Sequence, residues 1–208
     1  MYIKRIITAV ALLGVVAAGI WAYTIYRAIF SPNTVFGNEE AYVFVRTNDD
    51  FNDVVHMLQP LLKDIGTFET VAQKKGYATN IKPGKYALKK GMNNNEIINA
   101  LRSRNLPVKV SFNNQETVAD LAGRISAQIE ADSMSMVQSF TDSLFLKENG
   151  FNEATRLAMY IPNSYEFFWN TSADEFRGRM LKEYKRFWNE DRLNKAKNLG
   201  LSPLEVIT

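Results

Sequence analysis

IKPGKYALKKGMNNNEIINALRS, residues 81–103, is the stretch on which the reading of the fold turns. Pro83-Gly84 is a turn dipeptide, KYAL after it reads as a short strand, and Gly91 closes that strand. Asn93 followed three residues later by Glu96 is the signature of a reciprocal helix cap, and Ile97, Ile98 and Leu101 then fall on one helical face. Upstream, AYVFVR has the aromatic and β-branched content of a strand. TNDDFNDVVHMLQPLL places Asn and Asp caps before apolar residues at helical spacing: Phe51, Val54, Val55, Leu58, Leu61 and Leu62. A second short helix is expected from Thr67 to Lys75. Strand, helices, strand and helix in that order describe a small α+β unit, and many such units would satisfy the pattern.

Downstream, VKVSFNN from Val108 begins a new strand, and QETVADLAGRISAQIEADS is an amphipathic helix with Val118, Leu121, Ile125 and Ile129 inward. SMSMVQSFTDSLFLKENGF predicts a further short helix and a turn at Gly150, with Met134, Met136 and Phe140 as core residues. Ser172 to Glu175 fits a capping box ahead of a long amphipathic helix that buries Phe176, Met180, Tyr184 and Phe187. Its Arg, Lys and Glu face is solvated. At the end of the chain, GLSPLEVIT opens a helix with Ser202 as cap, Pro203 at the first position and Glu205 reaching back. A stub of so few residues is marginal alone, so this helix is expected to continue past Thr208.

The first thirty residues differ from everything after them. Lys4 and Arg5 precede an uncharged run from Ile6 to Tyr26, which as a helix reaches about 31 Å and can cross a hydrocarbon core of about 30 Å. Trp21, Tyr23 and Tyr26 gather at the far end, where aromatic rings favour the interface, and the two cations favour the cytoplasmic side. The run exceeds the roughly 7 to 15 apolar residues of a cleaved signal peptide. An uncleaved single-pass anchor is the expectation, with the bulk of the chain outside the cytoplasm.

Composition removes several function classes. Lys4, Arg5 and Arg27 account for the whole formal net charge of +3 among 208 residues. The remainder is formally neutral and has no basic, aromatic-interleaved stretch, which argues against nucleic acid. Without cysteine there is no disulfide, thiolate nucleophile or thiolate metal site. The single histidine, His56, lies in a helical pattern as a packed or solvated residue, so neither a histidine triad nor a histidine-rich metal site is expected. No phosphate-binding glycine loop, nucleophile elbow or metal-ligand spacing occurs, and no cofactor is implied.

The densest unusual stretch is YIPNSYEFFWNTS, Tyr160 to Ser172. Pro162-Asn163 marks a turn, and Glu166 is flanked in sequence by Tyr165, Phe167, Phe168 and Trp169. Aromatic rings beside a carboxylate suit carbohydrate, because sugar C–H faces pack on rings and an apolar setting raises a carboxyl pKa toward general-acid work. The alternative is that the aromatics fill the core while Glu166 points to solvent.

Taken together, the anchor, NIKPGKYALKKGMNNNEIINALRS, PVKVSFNN with its following helix, and YIPNSYEFFWNTS resemble the YceG-like endolytic murein transglycosylases, the MltG family. The resemblance covers nearly all of the chain. It implies a membrane helix (1–30), a tether (31–40), a LysM-like α+β subdomain (41–105) and the first part of an α+β catalytic domain (106–208). It also implies lytic cleavage of nascent peptidoglycan strands: one Glu acts as general acid and then as base, and the sugar's 6-hydroxyl attacks to leave a 1,6-anhydromuramyl end. Partners would be glycan strands, the membrane and cell-wall synthases.

Family members usually carry a Pro-Asx-Thr-Tyr type sequence where this chain has Pro162-Asn163-Ser164-Tyr165. Asn163, Tyr165 and Glu166 match that groove-side motif and are expected to contact substrate, or alternatively to seat the catalytic helix. The family's acid belongs to an Ala-Ser-Ile-(Ile or Val)-x-x-Glu segment continuing the helix begun by SPLEVIT. No residue of this chain inherits that role; the acid is expected shortly after Thr208, and the 208-residue chain is expected to be inactive alone. The competing expectation is a non-catalytic, membrane-anchored peptidoglycan-binding or scaffold protein.

Overall fold

The computed structural model describes residues 2–207. Met1 and Thr208 lie outside the described residues, as does the acid expected beyond them. The fold is α+β, with helices packed on two small antiparallel sheets and a long apolar helix at the amino end. The chain divides into two compact units between Asn105 and Leu106.

The first unit begins with α1 (Tyr2–Phe30), about 43 Å long at 1.5 Å per residue. Its residues are exposed until Ala28 and Ile29, which pack on the unit's core. Strand β1 (Glu40–Val45) pairs antiparallel with β2 (Gly84–Lys89), from Glu40 opposite Lys89 to Val45 opposite Gly84. Strand alternation turns Val43 and Val45 inward with Tyr86 and Leu88. Helices α2 (Phe51–Leu58), α3 (Ile65–Lys74) and α4 (Asn94–Ser103) close over that face with Leu58, Phe68, Ile97, Ile98 and Leu101. Asn93 and Glu96 form the reciprocal cap expected at the start of α4, a feature worth about 1 kcal/mol. Helix α3 starts two residues before the expected Thr67, because Asp64 caps it by accepting the Thr67 N–H. Gly84 has φ +147°, and a side chain there would strike Asn105, whose Oδ1 accepts the Lys85 N–H at 3.0 Å. His56 is exposed on α2.

Residues 31–36, read from sequence as part of a polar tether, are built into this unit. Asn33 and Thr34 are buried. The Asn33 N–H donates to the Met92 carbonyl, and the Lys63 and Gly91 N–H groups donate to the Asn33 carbonyl and Thr34 Oγ1. The physical reason is Asn94, which is 1% exposed. Its Nδ2 donates to the Ala28 carbonyl (2.8 Å) and Thr67 Oγ1 (3.1 Å), and its Oδ1 accepts from Asn33 Nδ2 (2.7 Å). Asn33 in turn exchanges two hydrogen bonds with the Asp64 backbone, each 2.9 Å. Two buried amides thus tie the end of α1 to α3 and α4, and every buried donor in the cluster has a partner.

The second unit has β3 (Pro107–Phe112), α5 (Val118–Ser126), α6 (Ser133–Phe140) and α7 (Ser143–Glu148), then β4 (Asn163–Phe168), α8 (Ala173–Phe187), α9 (Glu190–Asn198) and α10 (Pro203–Ile207). Strands β3 and β4 are antiparallel, with Phe112 opposite Asn163 and Val108 opposite Phe167. The core gathers Phe112, Phe140, Phe167 and Phe176, with Phe176 4.8 to 6.3 Å from the other three rings. Arg177 is buried among α6, α7 and α8. It donates to the Ser139 carbonyl, ion-pairs with Asp142 and Asp174 at 3.1 and 3.2 Å, and stacks on Phe145.

Three sequence readings are corrected here. Met134 is 80% exposed, because only Met136 and Phe140 of that stripe face the core. Helix α5 stops at Ser126 and leaves Ile129 buried outside it, since the Gln128 side chain is drawn to β3 and the Glu130 N–H to the Trp169 carbonyl. The long helix expected after the Ser172 cap runs from Ala173 to Phe187 as α8; buried Trp188 then leaves helical geometry, and Asn189 caps a separate helix, α9. Residues from Asn163 onward, read only as following a turn, are a strand because β3 supplies the partner.

Candidate functional site

Strand β3 ends in the loop Asn113-Asn114-Gln115, and β4 starts with Asn163 directly across from Phe112. That pairing leaves an open groove of about 700 Å³ at the end of the sheet, bordered by Asn113, Gln115, Arg124, Pro162, Asn163 and Ser164. A more enclosed lobe of about 320 Å³ is lined by Phe112, Leu121, Leu157, Tyr160, Ile161 and Ile207, among others. Hydroxyls and amides thus adjoin an apolar hollow, the pairing that suits a ligand with polar edges and apolar faces.

Local chemistry explains the shape. Ser111 and Ser164 face each other in register, their hydroxyl oxygens 2.7 Å apart. The outer edge of β3 would be open at Ser111, but the Gln128 amide accepts its N–H at 2.9 Å and donates to its carbonyl at 3.0 Å. This side chain occupies the edge as a neighbouring strand would, which blunts it against pairing with another chain. Gln115 folds the loop by donating from Nε2 to Asn113 Oδ1 at 2.6 Å.

The three residues singled out in sequence take different positions. Asn163 is exposed and borders the groove, its Oδ1 accepting the Ser164 N–H at 2.8 Å. Tyr165 is half-buried, donates its hydroxyl proton to the Ile161 carbonyl at 2.6 Å and stacks on Phe112 at 5.8 Å. Burial pushes its pKa up, with the Glu183 charge acting in the same direction. Tyr165 therefore braces the turn before β4. Glu166 is exposed opposite Lys109 and does not border the groove. Alternation along β4 sends Tyr165 and Phe167 to the other face of the strand, so of the flanking strand aromatics only Phe168 shares a side with Glu166, together with Ser164.

Residues the sequence reading missed are Ser111, Gln115, Arg124 and Gln128. The available signal was the density of amide side chains in FNNQE just after a strand, together with Arg124 on the polar side of α5. At the far end, the Ser202 N–H donates to the Glu205 carboxylate at 2.7 Å and the Glu205 N–H to Ser202 Oγ at 3.3 Å, which completes the expected cap of α10. These bonds hold the Glu205 carboxyl below its ordinary value, the Ser202 backbone contributing most.

An apolar amino-terminal helix followed by two α+β units, the second with a polar groove beside a Pro-Asn-Ser-Tyr strand, defines the class of protein. The YceG-like family model matches residues 43–208, and the chain belongs to that family. A 2.6 Å crystal structure of the yceG-like protein lmo1499 from Listeria monocytogenes is similar at 18% identity and a TM-score of 0.45, over 79% of this chain and 60% of that one. The present chain thus spans less than two thirds of that protein's length. No match is found among curated proteins.

Proposed function

We propose that the protein is a membrane-anchored endolytic lytic transglycosylase of peptidoglycan, its second unit holding part of the glycan groove and its first forming a LysM-like module. The observation that carries this reading is the family match over residues 43–208. Two features support it. Helix α1 is long and apolar enough to cross a bilayer, which suits an enzyme working beside the inner membrane on nascent strands. The groove at Asn163 offers hydroxyl and amide groups to sugar hydroxyls and acetamides, next to an apolar lobe for ring faces.

In such a reaction one carboxyl protonates the glycosidic oxygen and then takes the proton of the attacking 6-hydroxyl, so no water enters the product. Glu166 is not assigned that work, because it lies outside the groove. Asn163 is assigned substrate contact and Tyr165 the bracing of Asn163's strand. Deleting the gene should lengthen glycan strands and lower the fraction of 1,6-anhydromuramyl ends, measured by chromatography and mass spectrometry of digested sacculi. Returning the gene with the single change Glu166→Gln should restore both values. Unchanged strand length on deletion would overturn the proposal, and failure of Glu166→Gln to complement would return the acid to that residue.

A non-catalytic peptidoglycan-binding or scaffold role draws on one observation in the first unit. Tyr42 and Phe44 are exposed side by side on β1, with the Lys85 ammonium 4.4 and 5.8 Å from their ring centroids, a platform of the kind on which sugar faces or a partner's side chains rest.

A further inference from the structure

The groove at the end of β3 and β4 contains the guanidinium of Arg124, which forms no ion pair among the described residues. Arg124 is exposed on α5, and its side chain makes one hydrogen bond among the described residues, from Nε to the Ser111 carbonyl at 3.4 Å. Elsewhere in the same unit Arg156, Arg177, Arg179 and Arg186 lie within 3.4 Å of a carboxylate oxygen, and Arg192 is engaged by the Phe187 carbonyl at 2.7 Å and lies over the Phe187 ring. The nearest acid along the helix, Asp120, one turn earlier, accepts the Thr117 hydroxyl at 2.6 Å and forms no ion pair with Arg124. The Nε contact steadies the stem and leaves the terminal nitrogens for a ligand.

We infer that Arg124 receives a carboxylate of the ligand laid in this groove and so separates muramyl-containing strands from neutral amino-sugar polymers. The inference rests on the glycan-strand reading. Neutral neighbours at the groove, Asn113, Gln115, Asn163 and Ser164, match sugar hydroxyls and acetamides but carry no charge. A guanidinium among them adds what they lack, a two-pronged donor for a carboxylate. Two parts of the substrate carry that group: the peptide stem, and the lactyl arm when the stem has been removed. A chitin oligosaccharide carries neither.

The test compares binding of three probes to the full chain in detergent micelles: stem-bearing glycan strands, amidase-stripped strands and chitin oligosaccharides. The wild-type protein should bind at least one carboxylate-bearing probe about fivefold more tightly than chitin oligosaccharide, the size of one partly solvated charged hydrogen bond. Arg124→Gln should abolish that preference without changing chitin binding, and Arg124→Lys should retain part of it. Because the preference is ionic, it should shrink between about 0.05 and about 0.5 M salt. Preference for stem-bearing over stripped strands assigns the stem carboxylates, and the reverse order assigns the lactyl arm. Equal binding of all three probes by the wild type, or an intact preference in Arg124→Gln, overturns the inference while leaving the glycan reading standing. Absence of binding to any probe overturns the glycan reading itself.

Discussion

In the first unit the decisive amides are buried, and every one of their polar atoms is committed inside the protein: Asn33 and Asn94 join the end of α1, the start of α3 and the start of α4. In the second unit the corresponding residue types, Asn113, Gln115 and Asn163, stand at the rim of an open groove and bond only to their immediate neighbours. The two units share a plan, a two-stranded antiparallel sheet with helices on one face. The difference teaches where to look for function. A buried amide must find partners within the fold, because leaving it unpaired costs on the order of 1 to 3 kcal/mol. An amide at a rim is satisfied by water until a ligand replaces it.

The largest expected effect would dismantle one side of the comparison. Phe176→Ala removes a fully buried ring that contacts Phe112, Phe140 and Phe167, and should destabilise the second unit by about 3 to 5 kcal/mol. Hydrogen exchange should then rise across residues 106–207 and stay low across residues 43–101. A matching rise in the first unit would show that the two do not unfold separately.

Asn94→Ala attacks the other side. It removes one of the two acceptors of Asn33 Nδ2 and the side-chain donor to the Ala28 carbonyl and should cost about 2 kcal/mol. Faster exchange is expected at Asn33, Lys63 and Asp64, whose N–H groups the cluster protects. Unchanged exchange at these three would mean that the apolar contacts of Ala28 and Ile29 hold the junction unaided.

The smallest effect sharpens the comparison through pH. The Phe145 N–H, chiefly, and then Arg177 hold the Asp142 carboxyl below the ordinary aspartate value of 3.8. The charged form is therefore the stabilising one. Its contribution is present above the unfolded value and disappears as pH falls through the lowered folded value. Wild type should exceed Asp142→Asn in denaturation midpoint near neutral pH, and the gap should narrow as pH falls below about 4. A gap that does not narrow with acidification would assign the difference to shape instead of charge.

Local signals were the most legible part of the molecule. The caps at Asp50, Asn93, Ser172 and Ser202 involve residues three apart, so the pattern and the hydrogen bonds coincide in sequence. Strand β2 and the inward faces of α4 and α8 followed from periodicity for the same reason. The groove was less legible. Asn163 was found through its motif, but Arg124 and Gln128 meet Ser111 across 13 and 17 residues, and no local pattern announces such pairs. The aromatic setting suggested for Glu166 is only partly formed, because adjacency in sequence places strand residues on opposite faces.

The amino-acid sequence alone determined an apolar amino-terminal helix able to span a bilayer, an α+β composition, the main helix starts and a family resemblance that the match over residues 43–208 supports. These depend on interactions within a few residues or on composition, which one chain carries by itself. Tertiary structure alone decided that residues 31–36 belong to the first unit, that YEFF is a strand, and that a polar groove with Arg124 lies at the end of the second sheet. Each of these needs a partner distant in sequence: Asn94 for Asn33, β3 for β4, Ser111 for Arg124 and Gln128. Only folding brings such partners together, because closing a long loop has an entropic cost that the packed core offsets.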